Sequence, residues 1–442
     1  MGFKGKRIAM ISTHGYVSPS PPLGAKDTGG QIVYVLEISK SLAALGYEVD
    51  IWTRQFDDQP NCEQVTNQVR VIRAPCGGKE FIRKEELHRN ISEWCHIVQR
   101  KIQKDALEYK CINSHYWDAG LAGMLLSENL SIPHIHTPHS LGAWKKDNMQ
   151  KNPKESEEQL EKVFNFEKRI DAEKKIYRSS DYVVATTPIQ IDQLKKRYDV
   201  KGEHIAMIPP GYDDTKYFQI GEMSRKNIRK QLGFNKPFIL CLGRMALNKG
   251  YDLLLHAFKH VSDRLPKVRL KLAIGGENMT KSEKEDFEDL RALCQHLEIS
   301  SKVDLVGYIP DDELAEWYHA ATVFALPSRY EPFGMAAIEA MACGVATVTT
   351  TRGGLWKTIT YGRDALFADS LDEMEYGITL YKALKYTHLR NRLERMGAQK
   401  ARSLFTWTGI ANQLLNLIDA CYFPSYSPKI SDWEDYDSTQ WE

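Results

Sequence analysis

Two glutamates, Glu331 and Glu339, follow a predicted buried strand and stand eight positions apart. The strand is Val323–Leu326, with Glu331 on the loop after it and Glu339 inside the next predicted helix. Two carboxylates suit a ligand with several hydroxyl groups, because each accepts strong charge-assisted hydrogen bonds. Gly334 begins the helix, where backbone N–H groups can bind phosphate or hydroxyl oxygens. The tight Glu-Pro-Phe-Gly loop disfavours the alternative that Glu339 is only a charge on the helix surface.

Two cations, Arg244 and Lys249, follow another predicted strand, Phe238–Leu242. In open α/β sheets, ligands bind beyond the carboxyl ends of the strands. Fixed cations at that position suit a diphosphate, whose negative charge grows as it leaves the group it carried. The alternative for each residue alone is an ordinary solvated surface charge.

Three closely spaced histidines, His134, His136 and His139, raise the question of a metal site. Strand alternation places His134 and His136 on one face, but His139 follows Pro138 and starts a new direction. We therefore expect no metal site here and treat His139 separately.

A glycine pair, Gly29-Gly30, stands before Gln31 at the start of a predicted helix, Gly30–Leu45. Glycines there let the backbone approach a phosphate, and the helix N-terminus favours negative charge. A plain glycine-rich turn is an equal alternative. A dinucleotide site would need Gly-x-Gly-x-x-Gly and an acidic residue ending the second strand. This chain lacks that motif, and its second strand ends in Thr53-Arg54, so NAD is excluded.

Short apolar runs alternate with helical patterns and predict an α/β fold with mostly parallel sheets. In the first half, strands are predicted at Arg7–Ser12, Glu48–Thr53, Val69–Ala74, Cys111–Ser114, His134–Thr137, Tyr182–Thr186 and His204–Ile208. In the second half, they are predicted at Phe238–Leu242, Lys271–Ile274, Val303–Val306, Val323–Leu326 and Ala346–Thr350. In the first helix, Val33, Leu36, Leu42 and Leu45 recur on one side.

A proline- and glycine-rich break at Ile208–Tyr212 predicts two Rossmann-like domains, residues 1–212 and 213–405. We expect residues from about 406 to 442 to include a C-terminal helix that packs back on the first domain. The acidic stretch Pro424–Glu442 lacks periodicity, so the sequence predicts disorder or a strap.

The composition excludes several classes of function. The chain has 442 residues, with 59 basic and 58 acidic side chains, which argues against a nucleic-acid binder. No stretch approaches the roughly 20 apolar residues of a membrane span, and the N-terminal apolar run is too short for a signal peptide. The eight cysteines form no Cys-x-x-Cys pair and fit a reducing compartment. We therefore expect a cytoplasmic protein that binds neither membranes nor nucleic acids. The sequence leaves the oligomeric state open.

Three segments together carry a family resemblance: Glu331–Gly344 (EPFGMAAIEAMACG), Leu242–Gly250 (LGRMALNKG) and Gly29–Gln31 (GGQ). They resemble the large retaining glycosyltransferase family that includes sucrose-phosphate synthase and sucrose synthase. The resemblance extends from about residue 7 to about residue 420. It implies the GT-B fold, with two Rossmann-like domains across a cleft, and transfer of a hexose from a nucleoside-diphosphate sugar. It also implies that no metal ion and no cofactor is needed.

The resemblance assigns roles to single residues on the donor side. Glu331 is expected to contact the donor hexose, Glu339 the ribose, and Arg244 and Lys249 the diphosphate. His139, in a His-Ser-Leu-Gly segment, is expected to hydrogen-bond a hydroxyl of the transferred sugar near the reacting carbon. The predicted catalytic residues are His139, Glu331, Arg244 and Lys249. Backbone amides are expected to complete the donor site at Gly30, Phe333, Gly334 and Met335.

The acceptor residues also follow from the resemblance. Lys84, Lys145 and Arg169 match positions that grip the phosphate of fructose 6-phosphate in sucrose-phosphate synthase. Gln31 is then expected to contact the acceptor ring. Each basic residue alone fits a solvated surface equally well, and only the three together favour a phosphate clamp.

One stretch departs from the sucrose enzymes. Residues 352–369 lack the proline and glutamate usual there. With the opening Ser12–Pro19, His115–Gly120 and Arg402–Ala411, the chain resembles the mannosylfructose-phosphate synthase branch, which takes GDP-mannose. We therefore expect hexose transfer from GDP-mannose to fructose 6-phosphate. Transfer from UDP-glucose, as in sucrose-phosphate synthase, remains the main alternative.

Three further functions are open on the same architecture. An epimerase of nucleotide sugars would need no acceptor clamp. A silent sugar-nucleotide-binding protein would be expected to lose a donor-site charge. A glycogen-type polymerase takes an uncharged acceptor, which the three basic residues disfavour.

Overall fold

The computed structural model describes residues 5–21, 30–150, 156–275, 281–329, 331 and 333–423. The chain divides into two compact α/β units. The N-terminal unit comprises residues 1–209 and 407–442, and the C-terminal unit comprises residues 210–406. The chain passes between them within the predicted proline-rich break. The predicted tail, Pro424–Glu442, lies outside the described residues.

The N-terminal unit is built on an eight-stranded sheet in the order β3-β4-β2-β1-β5-β6-β7-β8. All neighbouring strands run parallel except β3, which pairs antiparallel with β4 at the edge. The sequence patterns did not predict β3. The strands are β1 (Arg7–Ile11), β2 (Glu48–Gln55), β3 (Cys62–Thr66), β4 (Val69–Pro75), β5 (Cys111–His115), β6 (His134–Thr137), β7 (Tyr182–Ala185) and β8 (Ile205–Met207).

Alternating side chains give this sheet two cores, one on each face. In β1, Ile8 and Met10 enter one buried cluster, whereas Ala9 and Ile11 enter another on the opposite face. The helices of the unit are α1 (Gly30–Ala44), α2 (Ile91–Lys104), α3 (Trp117–Leu130), α4 (Gly142–Gln150), α5 (Glu157–Phe164), α6 (Phe166–Ser179), α7 (Pro188–Tyr198) and α15 (Trp407–Tyr422).

Helix α1 lies between the sheet and α15, the last helix of the chain. Leu36 and Leu42 are buried with residues of both, such as Ile410 and Leu414. Of the four residues that recur on one side of the predicted helix, Val33 is 37% exposed, whereas its neighbours Ile32 and Tyr34 are buried.

The C-terminal unit contains a six-stranded parallel sheet in the order β11-β10-β9-β12-β13-β14. Its strands are β9 (Phe238–Gly243), β10 (Arg269–Ile274), β11 (Val303–Leu305), β12 (Val323–Leu326), β13 (Ala346–Thr350) and β14 (Leu366–Ala368). Its helices are α8 (Glu222–Gln231), α9 (Tyr251–Arg264), α10 (Lys281–His296), α11 (Leu314–Ala320), α12 (Met335–Ala342), α13 (Glu373–Lys385) and α14 (Thr387–Leu404). The predicted α/β class with mostly parallel sheets is confirmed. The short edge strand β14 was not predicted.

Each sheet has one point at which its strand order reverses. In the N-terminal unit this point lies between β1 and β5, and in the C-terminal unit it lies between β9 and β12. Crevices beyond the carboxyl ends of such strand pairs are the usual ligand sites of open α/β sheets. Ligand-binding residues are therefore expected after β1 and β5, and after β9 and β12.

Candidate active site

The carboxylate of Glu331 lies beyond the end of β12 and is paired with Lys249. The Nζ atom of Lys249 donates to Oε2 of Glu331 at 2.7 Å, and Oγ of Ser328 donates to the same oxygen at 3.1 Å. The Glu331 backbone is also fixed: its N–H donates to the Arg352 carbonyl at 3.1 Å, and its carbonyl accepts from the Gly354 N–H at 3.2 Å. Glu331 is 9% exposed, so this carboxylate is held in one orientation and partly shielded from water.

Glycines bring the loops of this site close together. Gly250 has φ +69°, and a Cβ there would clash with the carbonyl oxygen of Pro327. Lys249 can therefore approach β12 because its neighbour has no side chain. Gly334 has φ +103° and is the residue before α12. The first N–H groups of α12, beginning at Met335, lack partners within the helix and point toward the same edge.

Glu339, one turn into α12, lies in a different environment. Its carboxylate accepts a hydrogen bond from the Tyr318 hydroxyl at 2.8 Å. Burial raises the pKa of Glu339 to about 7, although the Tyr318 hydrogen bond and the charge of Lys216 act in the opposite direction. The carboxyl group is therefore close to half-protonated near neutral pH. No direct contact joins Glu339 to Glu331 or Lys249 among the described residues.

Arg244 and Phe333 occupy different positions at this edge. The Arg244 side chain is exposed immediately after β9, and its carbonyl accepts a hydrogen bond from the Tyr251 hydroxyl at 2.9 Å. Phe333 is 5% exposed, and its ring packs edge-on against Phe405 with centroids 5.7 Å apart. Arg244 is thus open to a ligand, whereas only the backbone of Phe333 can offer a contact.

In the N-terminal unit, His139 follows β6 with a left-handed backbone, φ 58°. Its Nε2 atom lies 3.0 Å from Nδ1 of His115, at the end of β5. The amide of Gln31, in the first turn of α1, donates to the His115 carbonyl and to Oγ of Ser12, both at 3.2 Å. The ends of β1, β5 and β6 and the start of α1 therefore meet at this reversal point. Two predicted residues, Gln31 and His139, are brought together through His115.

The His115–His139 pair is neutral. Burial lowers the pKa of His139 to about 3 and lowers the pKa of His115 as well. One of the facing nitrogens must carry the shared proton. Nε2 of His115 is buried without a partner among the described residues, and a buried, unpaired N–H is rarely tolerated. His115 therefore donates from Nδ1, and His139 retains its own proton on Nδ1, which leaves it a hydrogen-bond donor.

Arg169, on α6, is 2% exposed and its donors are engaged within the protein. Its Nε atom donates to Glu173 at 2.7 Å, and the two other nitrogens donate to the Tyr116 hydroxyl at 2.9 Å and to the Ser140 carbonyl at 2.7 Å. Glu173 also accepts from the Gly142 N–H at the start of α4, at 2.9 Å. The buried Arg169–Glu173 pair therefore fixes the turn between His139 and α4, because Arg169 binds Ser140 and Glu173 binds Gly142.

Lys84 and Lys145 come from segments that pack against the α5–α6 junction. Nζ of Lys145 lies 4.1 Å from the centre of the Phe164 ring. The segment that carries Lys84 is held to the same junction, because Asn165 donates to the Glu85 carbonyl at 3.0 Å. The structure thus brings the segments of Lys84, Lys145 and Arg169 to one region of the N-terminal unit.

Gly30 is exposed at the first position of α1, and a Cβ added there would meet none of the described residues within 4 Å. Packing against the described residues therefore does not require a glycine at this position. Its neighbour Gly29 lies outside the described residues.

His134 and His136 are structural histidines. Both rings contact the Ser114 hydroxyl, at 2.7 and 2.8 Å, in a fully buried site. No group of three or more potential metal ligands occurs among the described residues.

Sequence reasoning missed a buried pair at the end of β1. Nδ1 of His14 lies 2.9 Å from the Asp118 carboxylate, which also accepts from the Thr13 hydroxyl at 2.7 Å. Asp118 lies in the first turn of α3, after β5. Their positions in the sequence could have indicated this pair. His14 follows β1 and Asp118 follows β5, and strand ends at a reversal point are favoured ligand sites. His115 and Tyr318 were missed because their partners, His139 and Glu339, lie 24 and 21 positions further along the chain. Ser328 was missed although it stands only three positions before its partner Glu331.

Comparison with known proteins accounts for this arrangement. The family described as Glycosyl transferases group 1 matches residues 224–400, and Glycosyltransferase Family 4 matches residues 28–216. The mannosylfructose-phosphate synthase of Agrobacterium fabrum is 55% identical over 93% of this chain and 91% of its own length. The chain belongs to the retaining GT-B glycosyltransferase family. It is a hexosyltransferase, as the resemblance implied.

Two further relatives of this glycosyltransferase support the same family. The D-inositol 3-phosphate glycosyltransferase of Corynebacterium efficiens is 31% identical over 93% of this chain and 94% of its own length. The solved sucrose-phosphate synthase from Thermosynechococcus elongatus is 28% identical with a TM-score of 0.76, covering 94% of this chain and 99% of that chain. Within the described part of the glycosyltransferase, no helix combines the length and apolar character needed to cross a membrane.

Proposed function

We propose that the enzyme transfers mannose from GDP-mannose to fructose 6-phosphate with retention of the anomeric configuration. The observation that carries the proposal is the 55% identity, over nearly the full length of both chains, to a mannosylfructose-phosphate synthase. The names of all three relatives described above contain a phosphorylated sugar or polyol. A phosphorylated acceptor therefore agrees with the basic segments gathered in the N-terminal unit.

On the donor side, Arg244 and Lys249 bind the diphosphate and stabilise the charge that develops as it leaves. The amides of Gly334 and Met335 add N–H donors at the start of α12, and the amide of Phe333 precedes them. When the donor binds, hydroxyl groups of the hexose donate hydrogen bonds to Glu331 and replace part of its interaction with Lys249. Glu339 accepts from the ribose hydroxyls in its ionised form.

The N-terminal unit supplies contacts to the transferred sugar and to the acceptor. His139 donates from Nδ1 to a sugar hydroxyl, and the amide of Gly30 binds a phosphate oxygen of the donor. Gln31 contacts the acceptor ring. Lys84 and Lys145 bind the acceptor phosphate, and Arg169, paired with Glu173, acts beside them by holding the turn that carries His139.

The reaction breaks the bond between the anomeric carbon and the phosphate oxygen, and the acceptor hydroxyl oxygen forms the new bond on the same face. The proton of that hydroxyl passes to an oxygen of the leaving diphosphate. This route needs no covalent intermediate on the protein, and none of the acceptor-side motifs offers an evident carboxylate nucleophile.

The donor choice is tested by measuring nucleoside diphosphate released from GDP-mannose and from UDP-glucose, each with and without fructose 6-phosphate. We expect release only from GDP-mannose and only with the acceptor. Release from UDP-glucose would move the assignment to sucrose-phosphate synthesis, which the similarity to a solved sucrose-phosphate synthase favours as the second candidate. Release from neither donor would contradict both.

The acceptor clamp is tested with neighbouring lysines of α4. Lys145→Ala should raise the KM for fructose 6-phosphate at least about tenfold, because a charge-assisted phosphate contact is lost. Lys146→Ala is the matched control, since that lysine pairs with Glu157 at 3.2 Å. Both substitutions should have equally small effects on the KM for free fructose. Equal effects of Lys145→Ala on phosphorylated and free fructose would contradict the clamp.

A further inference from the structure

A cavity of about 590 Å³ lies at the edge of the C-terminal sheet where the strands begin. Pro237, Val268 and Thr322, which immediately precede β9, β10 and β12, contribute to its lining. Arg244 and Glu331 lie at the other edge of the sheet, beyond the carboxyl ends of β9 and β12 respectively. Because β9 has six residues, roughly 20 Å of strand separates the cavity from the donor-site residues.

Cations dominate the polar part of this cavity. Of the described residues that line it, five are basic and none is acidic; the basic ones are Arg229, Lys236, Lys267, Lys385 and Arg390. The whole chain has a net charge of only +1, so this is a local excess rather than a general basic character. Such a cluster raises the local concentration of anions.

Internal carboxylates balance little of this charge. Among the described residues, the oxygens of Glu394 lie 4.0 Å from Nε of Arg390 and 3.5 Å from the neighbouring Arg225, and the charge of Glu222 acts more weakly on Arg229. Within the described ranges, no carboxylate lies in ion-pair distance of Lys236, Lys267 or Lys385. An external anion would therefore relieve repulsion that the described residues leave in place.

One of the cations is held in a fixed position. Nε of Arg229 donates to the Ala320 carbonyl at 2.7 Å, and another nitrogen donates to the Ala321 carbonyl at 3.1 Å. Burial, followed by the nearby charge of Arg225, lowers the pKa of this guanidinium below its usual range. Arg229 is thus a half-buried cation that is fixed by carbonyl groups, with no described carboxylate in ion-pair distance, and it can form one side of an anion site.

Apart from Asn235 and Thr322, the rest of the described lining is apolar, with contributions from Phe234, Leu265, Val268 and Leu384. A concave site of several hundred Å³ with an apolar floor and a few charged groups has the size of a small-molecule site. We propose that this cavity binds a small phosphate-bearing metabolite at a second site, separate from the site of hexose transfer.

The test is a calorimetric titration with pyrophosphate of the full-length protein and two triple variants. The first is Lys236→Ala/Lys267→Ala/Lys385→Ala, which removes three cavity cations. The second is Lys226→Ala/Lys281→Ala/Lys284→Ala, which removes three exposed lysines elsewhere in the same unit and changes the net charge equally. Pyrophosphate bound at the transfer site contributes equally to all three proteins.

We expect the cavity variant to lose one pyrophosphate per chain, or to bind it at least about tenfold more weakly, which corresponds to about 1.4 kcal/mol. The control variant should bind as the unchanged protein does. Identical isotherms for the two triple variants would overturn the proposal.

A second measurement needs no substitution. Lysine acetylation is followed by mass spectrometry in the unchanged protein, with and without pyrophosphate. Protection of Lys236, Lys267 and Lys385, but not of Lys281, is the expected result. Equal acetylation of the cavity lysines with and without pyrophosphate would overturn the proposal even if the triple variant failed to fold.

Discussion

Lys249 carries the donor-site prediction at the scale of a single residue. Its Nζ atom is paired with Glu331, and its side chain keeps 22% of its surface exposed. We expect Lys249→Ala to lower kcat at least about 100-fold, because a fixed cation at the leaving group acts mainly in the transition state. The melting temperature should change little. Steady-state kinetics and a thermal melt measure both effects.

The control for that change is Lys281→Ala, which removes a lysine that is 93% exposed on α10. It should leave kcat unaltered. Near-normal turnover of the Lys249 variant would contradict the assignment of the diphosphate site.

Glu339 makes stability depend on pH. Its pKa in the folded protein, about 7, lies above the ordinary value of 4.5. Between these values the folded protein holds a proton that the unfolded chain has lost, so stability falls as pH rises through about 7. Glu339→Gln should flatten this fall, as measured by thermal melts between about pH 4.5 and about pH 8. A fall as steep as in the unchanged protein would show that Glu339 is not the group responsible.

The sequence indicated which residue types would serve the site, but not their partners. The spacing of Glu331 and Glu339 and the loop after β9 predicted a binding edge. The Tyr318 hydroxyl at Glu339 and His115 beside His139 could not be predicted, because these contacts join residues 21 and 24 positions apart through the fold. Arg169 matched a phosphate-binding position, yet its guanidinium donates to Glu173, Tyr116 and Ser140.

At the scale of elements, α3 packs on the sheet through small residues. A Cβ at Gly123 would clash with the His134 ring, and one at Gly120 would lie 2.7 Å from His136. Both histidines are fixed by Ser114, so they cannot move aside. Gly123→Ala should therefore lower the melting temperature by several degrees, with a loss of about 1–3 kcal/mol.

Gly30→Ala is the matched control for that change. A Cβ at Gly30 meets none of the described residues within 4 Å, so the melting temperature should hold while transferase activity falls, because the added methyl group lies at the proposed contact with a donor phosphate. The reverse pattern, a stable Gly123 variant or an unstable Gly30 variant, would contradict the packing account.

Buried parallel strands were predictable because they form continuous apolar runs. The edge strand β3, with the sequence Cys-Glu-Gln-Val-Thr, is only partly buried and has no such run. Val33 shows the limit of helical periodicity. Helical periodicity places Val33 on the same side of α1 as Leu36. In the structure, the sheet covers one side of α1 and α15 covers another, so the buried surface of the helix does not coincide with that side.

At the scale of the whole molecule, the N-terminal unit depends on the end of the chain. Ile410, Leu414 and Ile418 of α15 are 2% exposed or less, and Lys110 of that unit pairs with Asp419 at 2.7 Å. A chain ending at Thr406 should be insoluble or unfolded, because it uncovers this apolar face. A chain ending at Phe423 keeps every contact of α15 with the described residues and should remain soluble. The solubility of both truncated chains is measured by sedimentation. Equal solubility of the two would contradict this dependence.

The measurement that tests the central claim most directly is the structure of the reaction product. The protein is incubated with GDP-mannose and fructose 6-phosphate, and the product is examined by NMR. We predict a single mannosyl-fructose phosphate in which mannose keeps the anomeric configuration that it had in the donor. GDP release without a phosphorylated disaccharide, or a product with the inverted configuration, would contradict the account.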